Sequence, residues 1–194
     1  MRLIVGMTEA TGAVLGVRLL EQLKSMLDVE THLVISHWAR STIELETGLS
    51  VHEIGDLADA VYSPEDQGAA VSSGSFRADG MVIAPCSMKT LAGIRAGYAN
   101  TLMGRAADVV LKKHRPLVLV PRESRLSEIH LENMLALARM EVHIVPPMLA
   151  FHQLLSTVDE IVDHIVARVL DQFGLPVQAT RRRQGMHAAQ TSNF

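Results

Sequence analysis

Cysteine is nearly absent: Cys86 stands alone among 194 residues, so no disulfide can form within the chain and the expected compartment is the reducing cytoplasm. Aromatic residues make up 4% of the sequence, too few for a platform that stacks nucleic-acid bases. Charge is nearly balanced at a net −3, which provides no basic field for a nucleic acid. No apolar run reaches the roughly 18 residues that a membrane span requires, and MRLIVGMTE lacks the layout of a signal peptide. The nine histidines form neither HExxH nor a Cys/His cluster, so no metal is expected. SSGSF (72–76) is not the G-x-S-x-G elbow of hydrolases. Cys86 has no histidine within local motif distance and reads as a buried, inert thiol.

What is present is a globular core, with 48% hydrophobic and 20% charged residues. Five apolar runs read as buried parallel strands: RLIVGM (2–7), THLVIS (31–36), GMVIAP (80–85), PLVLVP (116–121) and VHIVPP (142–147). Helix-period stretches lie between or after them, at 12–27, 102–114, 127–140 and 158–174. Ser127 opens the third as an N-cap, and Gly174 closes the last as a C-cap. This alternation predicts a three-layer α/β/α sandwich with a Rossmann-like (flavodoxin-like) parallel sheet. One domain is expected over 1–175. The tail, 176–194, is expected to be a mobile terminus or an intersubunit arm. Residues 48–80, rich in Gly, Ser and Asp, read as an excursion outside the sheet that ends in a functional loop.

Ligands of open parallel sheets bind beyond the carboxyl ends of the strands. The residues that follow each run are Thr8-Glu9-Ala10-Thr11-Gly12, Ser36-His37-Trp38, Cys86-Ser87-Met88-Lys89-Thr90, Arg122-Glu123-Ser124 and Pro147 to His152. Hydroxyls and cations dominate, which suits an anionic ligand such as a nucleotide or flavin phosphate. Strand-to-helix turns such as VGMTEATGA (5–13) hold phosphates on helix amides, so Glu9 in that turn is out of place. The serines of SSGSF suggest a loop that offers amides to a second phosphate. Arg105 and Lys112, seven residues apart, share a helix face, which alone reads as a solvated surface.

Together VGMTEATGA, SSGSF, GMVIAPCSMKTLAGI, GRAADVVLK, PLVLVPRE, IHLENMLAL and VARVLDQFG, in that order, resemble the UbiX/Pad-type flavin prenyltransferases over residues 3 to about 175. The resemblance implies a homo-oligomer, typically a dodecamer of trimers, with FMN at subunit interfaces. It implies transfer of a dimethylallyl group from dimethylallyl phosphate to reduced FMN, whose prenylated product serves a UbiD-type aromatic acid decarboxylase. An FMN-binding accessory subunit without prenyl transfer is the alternative. Carried over by position, the flavin meets Glu9, Ala10, Thr11, Ser36, Ser87, Met88, Lys89, Thr90 and Arg122. The prenyl phosphate meets Ser73, Gly74, Arg105, Lys112, His152 and Arg168. Glu46 and Glu123 are implied as acid–base groups, with Thr11 near the reactive edge.

The chain also departs from the family pattern. Glu9 replaces a Gly, His152 a Tyr and Arg183 a Trp. Asn100-Thr101 replaces Asp-Asn or Asp-Gly, and Glu141 and Leu149 replace Gly and Pro. At position 9 the substitution predicts a reluctant backbone angle. It also predicts a carboxylate that turns away from the flavin phosphate or pairs with a cation of a neighbouring subunit.

Overall fold

The chain runs through β1 (Arg2–Met7), α1 (Ala13–Lys24), β2 (Glu30–Ile35), α2 (Ala39–Thr47), α3 (Val51–Gly55), β3 (Ala60–Tyr62), a short 3-10 turn (Ala70–Ser72), β4 (Gly80–Cys86), α4 (Met88–Arg95), α5 (Leu102–Lys112), β5 (Leu117–Pro121), α6 (Glu128–Arg139), β6 (His143–Ile144) and α7 (Val158–Asp171). This is a computed structural model, and it describes residues 1–151 and 154–175. The strands form one sheet in the order β3-β2-β1-β4-β5-β6, and every pairing is parallel. From β1 the chain moves outward to β2 and β3, then crosses to β4 and continues the other way. The order therefore reverses between β1 and β4, the place where open α/β sheets form their ligand crevice.

The apolar runs become strands because both faces of the sheet are covered, which leaves no solvent side for polar alternation. Every residue of β4 and β5 is buried. One core holds side chains of α1, α2, α3 and α7; the other holds those of α4, α5 and α6. Helix α1 lies close enough to the strands that a Cβ on Gly16 would meet the Ala84 carbonyl at 2.4 Å, so only glycine fits there.

Several sequence expectations need correction. Residues 48–80 are not wholly outside the sheet, because Ala60–Tyr62 pairs with β2 as an edge strand. The run 142–147 contributes only His143 and Ile144 as strand. Helices α2, α3 and α4 had no counterpart in the periodicity reading. Ser127 caps α6, its hydroxyl accepting from the His130 amide. Gly174 adopts φ 68°, but it lies two residues beyond Gln172, the residue that closes α7. The tail from 176 lies outside the described residues.

Candidate functional site

At the β1–β4 reversal, the buried Thr8 ties the two strand ends together. Its hydroxyl donates to the Pro85 carbonyl at 2.8 Å and accepts the Ser87 amide at 2.7 Å. Ser87, also buried, caps α4 by accepting from the Thr90 amide at 3.2 Å. The two βα turns are thereby locked side by side, and a cleft of about 400 Å³ opens above them. Of the residues assigned to the flavin by sequence, Glu9, Ser36, Lys89 and Thr90 line this cleft. Ala10, Thr11, Ser87 and Arg122 belong to the same edge without lining it. The Met88 side chain is turned into the core.

Glu9 is paired within its own chain. Its Oε1 lies 2.8 Å from Lys89 Nζ, and its Oε2 accepts from the Ser36 hydroxyl at 3.4 Å. Thr42 Oγ1 donates to the Glu9 carbonyl at 3.2 Å, which fixes the main chain. Burial alone would raise the Glu9 pKa. The hydrogen bond and charge of Lys89, with further local hydrogen bonds, outweigh it and hold the carboxyl below its usual value. A cation of its own chain, Lys89, thus partners Glu9. The expected backbone strain is absent. Among the described residues the positive-φ non-glycines are His114, Glu141 and Leu154. Glu141, where the resemblance led to the expectation of a glycine, is the departure that takes a left-handed angle, with φ 65°.

The amides of the β1–α1 turn are likewise occupied from within. Gly12, at φ 102°, makes the left-handed entry into α1. Glu46 Oε2, projecting from the neighbouring α2, accepts both the Gly12 and Ala13 amides at 2.8 Å. Two orphan donors at the positive end of α1 are thus capped by a carboxylate. Burial pushes the Glu46 pKa up, but the bonds from Thr11, Ala13 and Gly12 and the charge of Arg122 bring it below the ordinary value. Arg122 Nε reaches the Thr11 carbonyl at 3.4 Å, which draws the fourth βα turn toward the first. Glu123 is exposed and accepts the Ser124 amide at 2.9 Å. Cys86 is fully buried, and burial pushes its thiol pKa far up, which fits an inert core residue.

The residues assigned to the prenyl phosphate are more dispersed. Arg105 and Lys112 lie on α5, and a Cβ added at Gly74 would meet the side chains of both Lys113 and Lys112 within 4 Å. Arg105 pairs with Asp108 on its own helix at 2.7 Å. In the SSGSF loop the Ser73, Ser75 and Phe76 amides are bonded within the loop or to Ala70. These three are therefore not on offer to a phosphate. Arg168 lies on α7, beyond the sheet from α5, and pairs with Asp171 at 3.2 Å. His152 and Arg183 lie outside the described residues. A second depression of about 720 Å³ contains Arg95, Lys112 and Arg139 together with Asp108 and Glu141, and it shares Ile94, Tyr98 and Gly104 with the cleft.

Strand-end reasoning did not reach Tyr98, Thr101 and Met103 in the cleft wall. His37 and Trp38, which follow the second strand run, do line the cleft, and Trp38 is exposed there. Tyr98, Thr101 and Met103 come from the α4–α5 connection and the start of α5, which a rule about strand ends does not sample. Thr101 also caps α5, its hydroxyl accepting the Gly104 amide at 3.2 Å.

The Flavoprotein family matches residues 1–170. A probable UbiX-like flavin prenyltransferase of Streptomyces sp. (strain D7) is 69% identical over 99% of this chain and 96% of its own. The chain belongs to the UbiX-like flavin prenyltransferases of the Flavoprotein family. A dodecameric FMN-dependent UbiX-like decarboxylase from Escherichia coli O157:H7 superposes with a TM-score of 0.94 at 66% identity, over 95% of this chain and all of that one. AnUbiX (PadA1), solved with FMN and dimethylallyl pyrophosphate, superposes at 0.93 with 49% identity over 96% and 98% of the two chains.

A UbiX-like flavoprotein must accommodate a planar ring, a polyol chain and a phosphate. Trp38 and Tyr98 offer exposed faces for the ring, and the hydroxyls of Ser36, Thr90 and Thr101 suit a polyol. The cleft volume is of the size that binds small molecules. The residues fit a flavin. Among the described residues there is no cluster that could hold a metal, and no helix is long and apolar enough to cross a membrane.

Proposed function

We propose that this protein transfers a dimethylallyl group from dimethylallyl phosphate to reduced FMN, making prenylated FMN for a UbiD-type aromatic acid decarboxylase. The observation that carries the reading is the juxtaposition at Tyr98. There an aromatic-walled cleft at the strand ends adjoins a depression that holds Lys112, Arg95 and Arg139. When bound, the reduced flavin supplies the electron-rich ring that accepts the prenyl group. Ser36, Lys89 and Thr90 line its site, and Ala10, Thr11, Ser87, the Met88 main chain and Arg122 flank it. Arg105, Lys112 and Arg168, with Ser73, Gly74 and His152, hold the phosphate as the allylic C–O bond breaks. Fixed cations stabilise the charge that develops on the leaving group. Glu46, kept ionised by two amides, acts as a proton acceptor beside Thr11, and Glu123 is the exposed carboxyl for proton exchange.

Arg168 and the α5 cations stand on opposite faces of the sheet, so a homo-oligomer completes the site by bringing α7 of one copy to α5 of another. The Escherichia coli relative is dodecameric, and the same assembly is the one proposed for this chain. The buried, unpaired Cys86 suits a cytoplasmic protein.

The test is anaerobic incubation with reduced FMN and dimethylallyl phosphate, followed by mass spectrometry of the released flavin. A gain of one dimethylallyl group is expected. Bound flavin without that gain supports the accessory-subunit alternative and overturns prenyl transfer.

A further inference from the structure

Both positions at the strand ends where an incoming anion would dock are filled by the protein's own carboxylates. Glu46 occupies the amides of α1. Glu9 occupies the Lys89 ammonium and the Ser36 hydroxyl, and it lines the cleft itself. The charged side chains of the cleft wall are Glu9, Glu65 and Lys89, with His37 beside them. Two carboxylates thus face one ammonium. Such a wall welcomes hydroxyls and a flat ring but offers a phosphate dianion no net positive charge.

We propose that Glu9 is a selectivity residue that tunes the cleft away from phosphate esters, so that it favours the dephosphorylated flavin relative to FMN more than the same cleft without this carboxylate. The inference rests on the flavin reading above. A phosphate must displace Glu9 from Lys89 or sit beside it, and like charges a few ångströms apart repel strongly at the dielectric of a partly buried site. A flavin ending in a hydroxyl meets no such cost. The phosphate is the same in FMN and in its prenylated product, so Glu9 weakens the hold on both. That property suits a flavin that enters and leaves as substrate and product.

The experiment measures dissociation constants of FMN and riboflavin by calorimetry for the wild-type chain, Glu9→Gln and Glu9→Gly. Glutamine keeps the size of the side chain and removes its charge. Glycine removes the side chain at a position whose φ is not positive. The ratio of the FMN constant to the riboflavin constant is expected to fall by about tenfold in both variants. A ratio that stays the same or rises overturns the proposal, even if both affinities change together, because that pattern marks a purely structural role. If the wild-type chain binds neither flavin, the functional reading fails and this inference fails with it. Binding of both flavins with an unchanged ratio overturns the inference alone.

Discussion

The strand-end cleft and the cationic flank of the helices hold their charges in opposite ways. At the cleft, Glu46 reaches from α2 to the amides of α1, and Glu9 reaches from the β1 turn to Lys89 on α4. Each partner is remote in sequence and is brought near by strand pairing, β1 with β2 for Glu46 and β1 with β4 for Glu9. On the flank, Arg105 pairs with Asp108 and Arg168 with Asp171, each three residues along its own helix. Such pairs contribute only tenths of a kcal/mol and exchange readily. The carboxylates of the cleft edge thus find partners in other elements of the same chain. The flank holds its cations only by weak pairs within one helix, which is what the proposed phosphate role asks of them.

The largest expected effect tests whether the flank cations act only on the leaving phosphate. Arg105→Ala and Lys112→Ala should each slow prenyl transfer by about a hundredfold, with little change in melting temperature. A mixture of Arg105→Ala and Arg168→Ala chains, denatured and reassembled together, should recover part of the activity, because mixed oligomers rebuild some intact sites. No recovery would place all the cations of one site on a single chain.

Glu46→Ala probes the cleft side. Leaving the Gly12 and Ala13 amides uncapped should cost about 1 kcal/mol of stability, measured by denaturant unfolding. The Glu46 pKa is lowered by folding, so its contribution is complete above the unfolded value near about 4.3. It fades as pH falls through the lower folded value. The wild-type advantage over Glu46→Gln should accordingly shrink below about pH 4.

Two smaller effects sharpen the contrast. Glu141 sits on the flank with φ 65°, so Glu141→Gly should raise stability by about 1 kcal/mol. Asp108→Asn, which breaks the pair with Arg105, should change stability by less than about 0.5 kcal/mol. A much larger loss would mean that the flank is tied as firmly as the cleft.

Much of the fold was legible because β1, β2, β4 and β5 are continuous apolar runs in a sheet covered on both faces. Strand β3 was not, because Ala60–Tyr62 is three residues long within a polar stretch and is a strand only through its pairing with β2. Reading past the strand ends found Glu9, Ser36, Lys89 and Thr90. The same rule could not find Tyr98 or Met103, which enter the cleft from the far side.

Local sequence was enough to determine the long strands β1, β2, β4 and β5, the cap at Ser127, and an edge rich in hydroxyls and cations, because burial and capping depend on neighbours along the chain. Which anion occupies that edge was decided only in three dimensions. Glu9 in VGMTEATGA looked like a charge in a phosphate's place. Folding gives the amides of that turn to Glu46 and gives Glu9 to Lys89, since a carboxylate's partner is set by distance through space and not by its position in the turn.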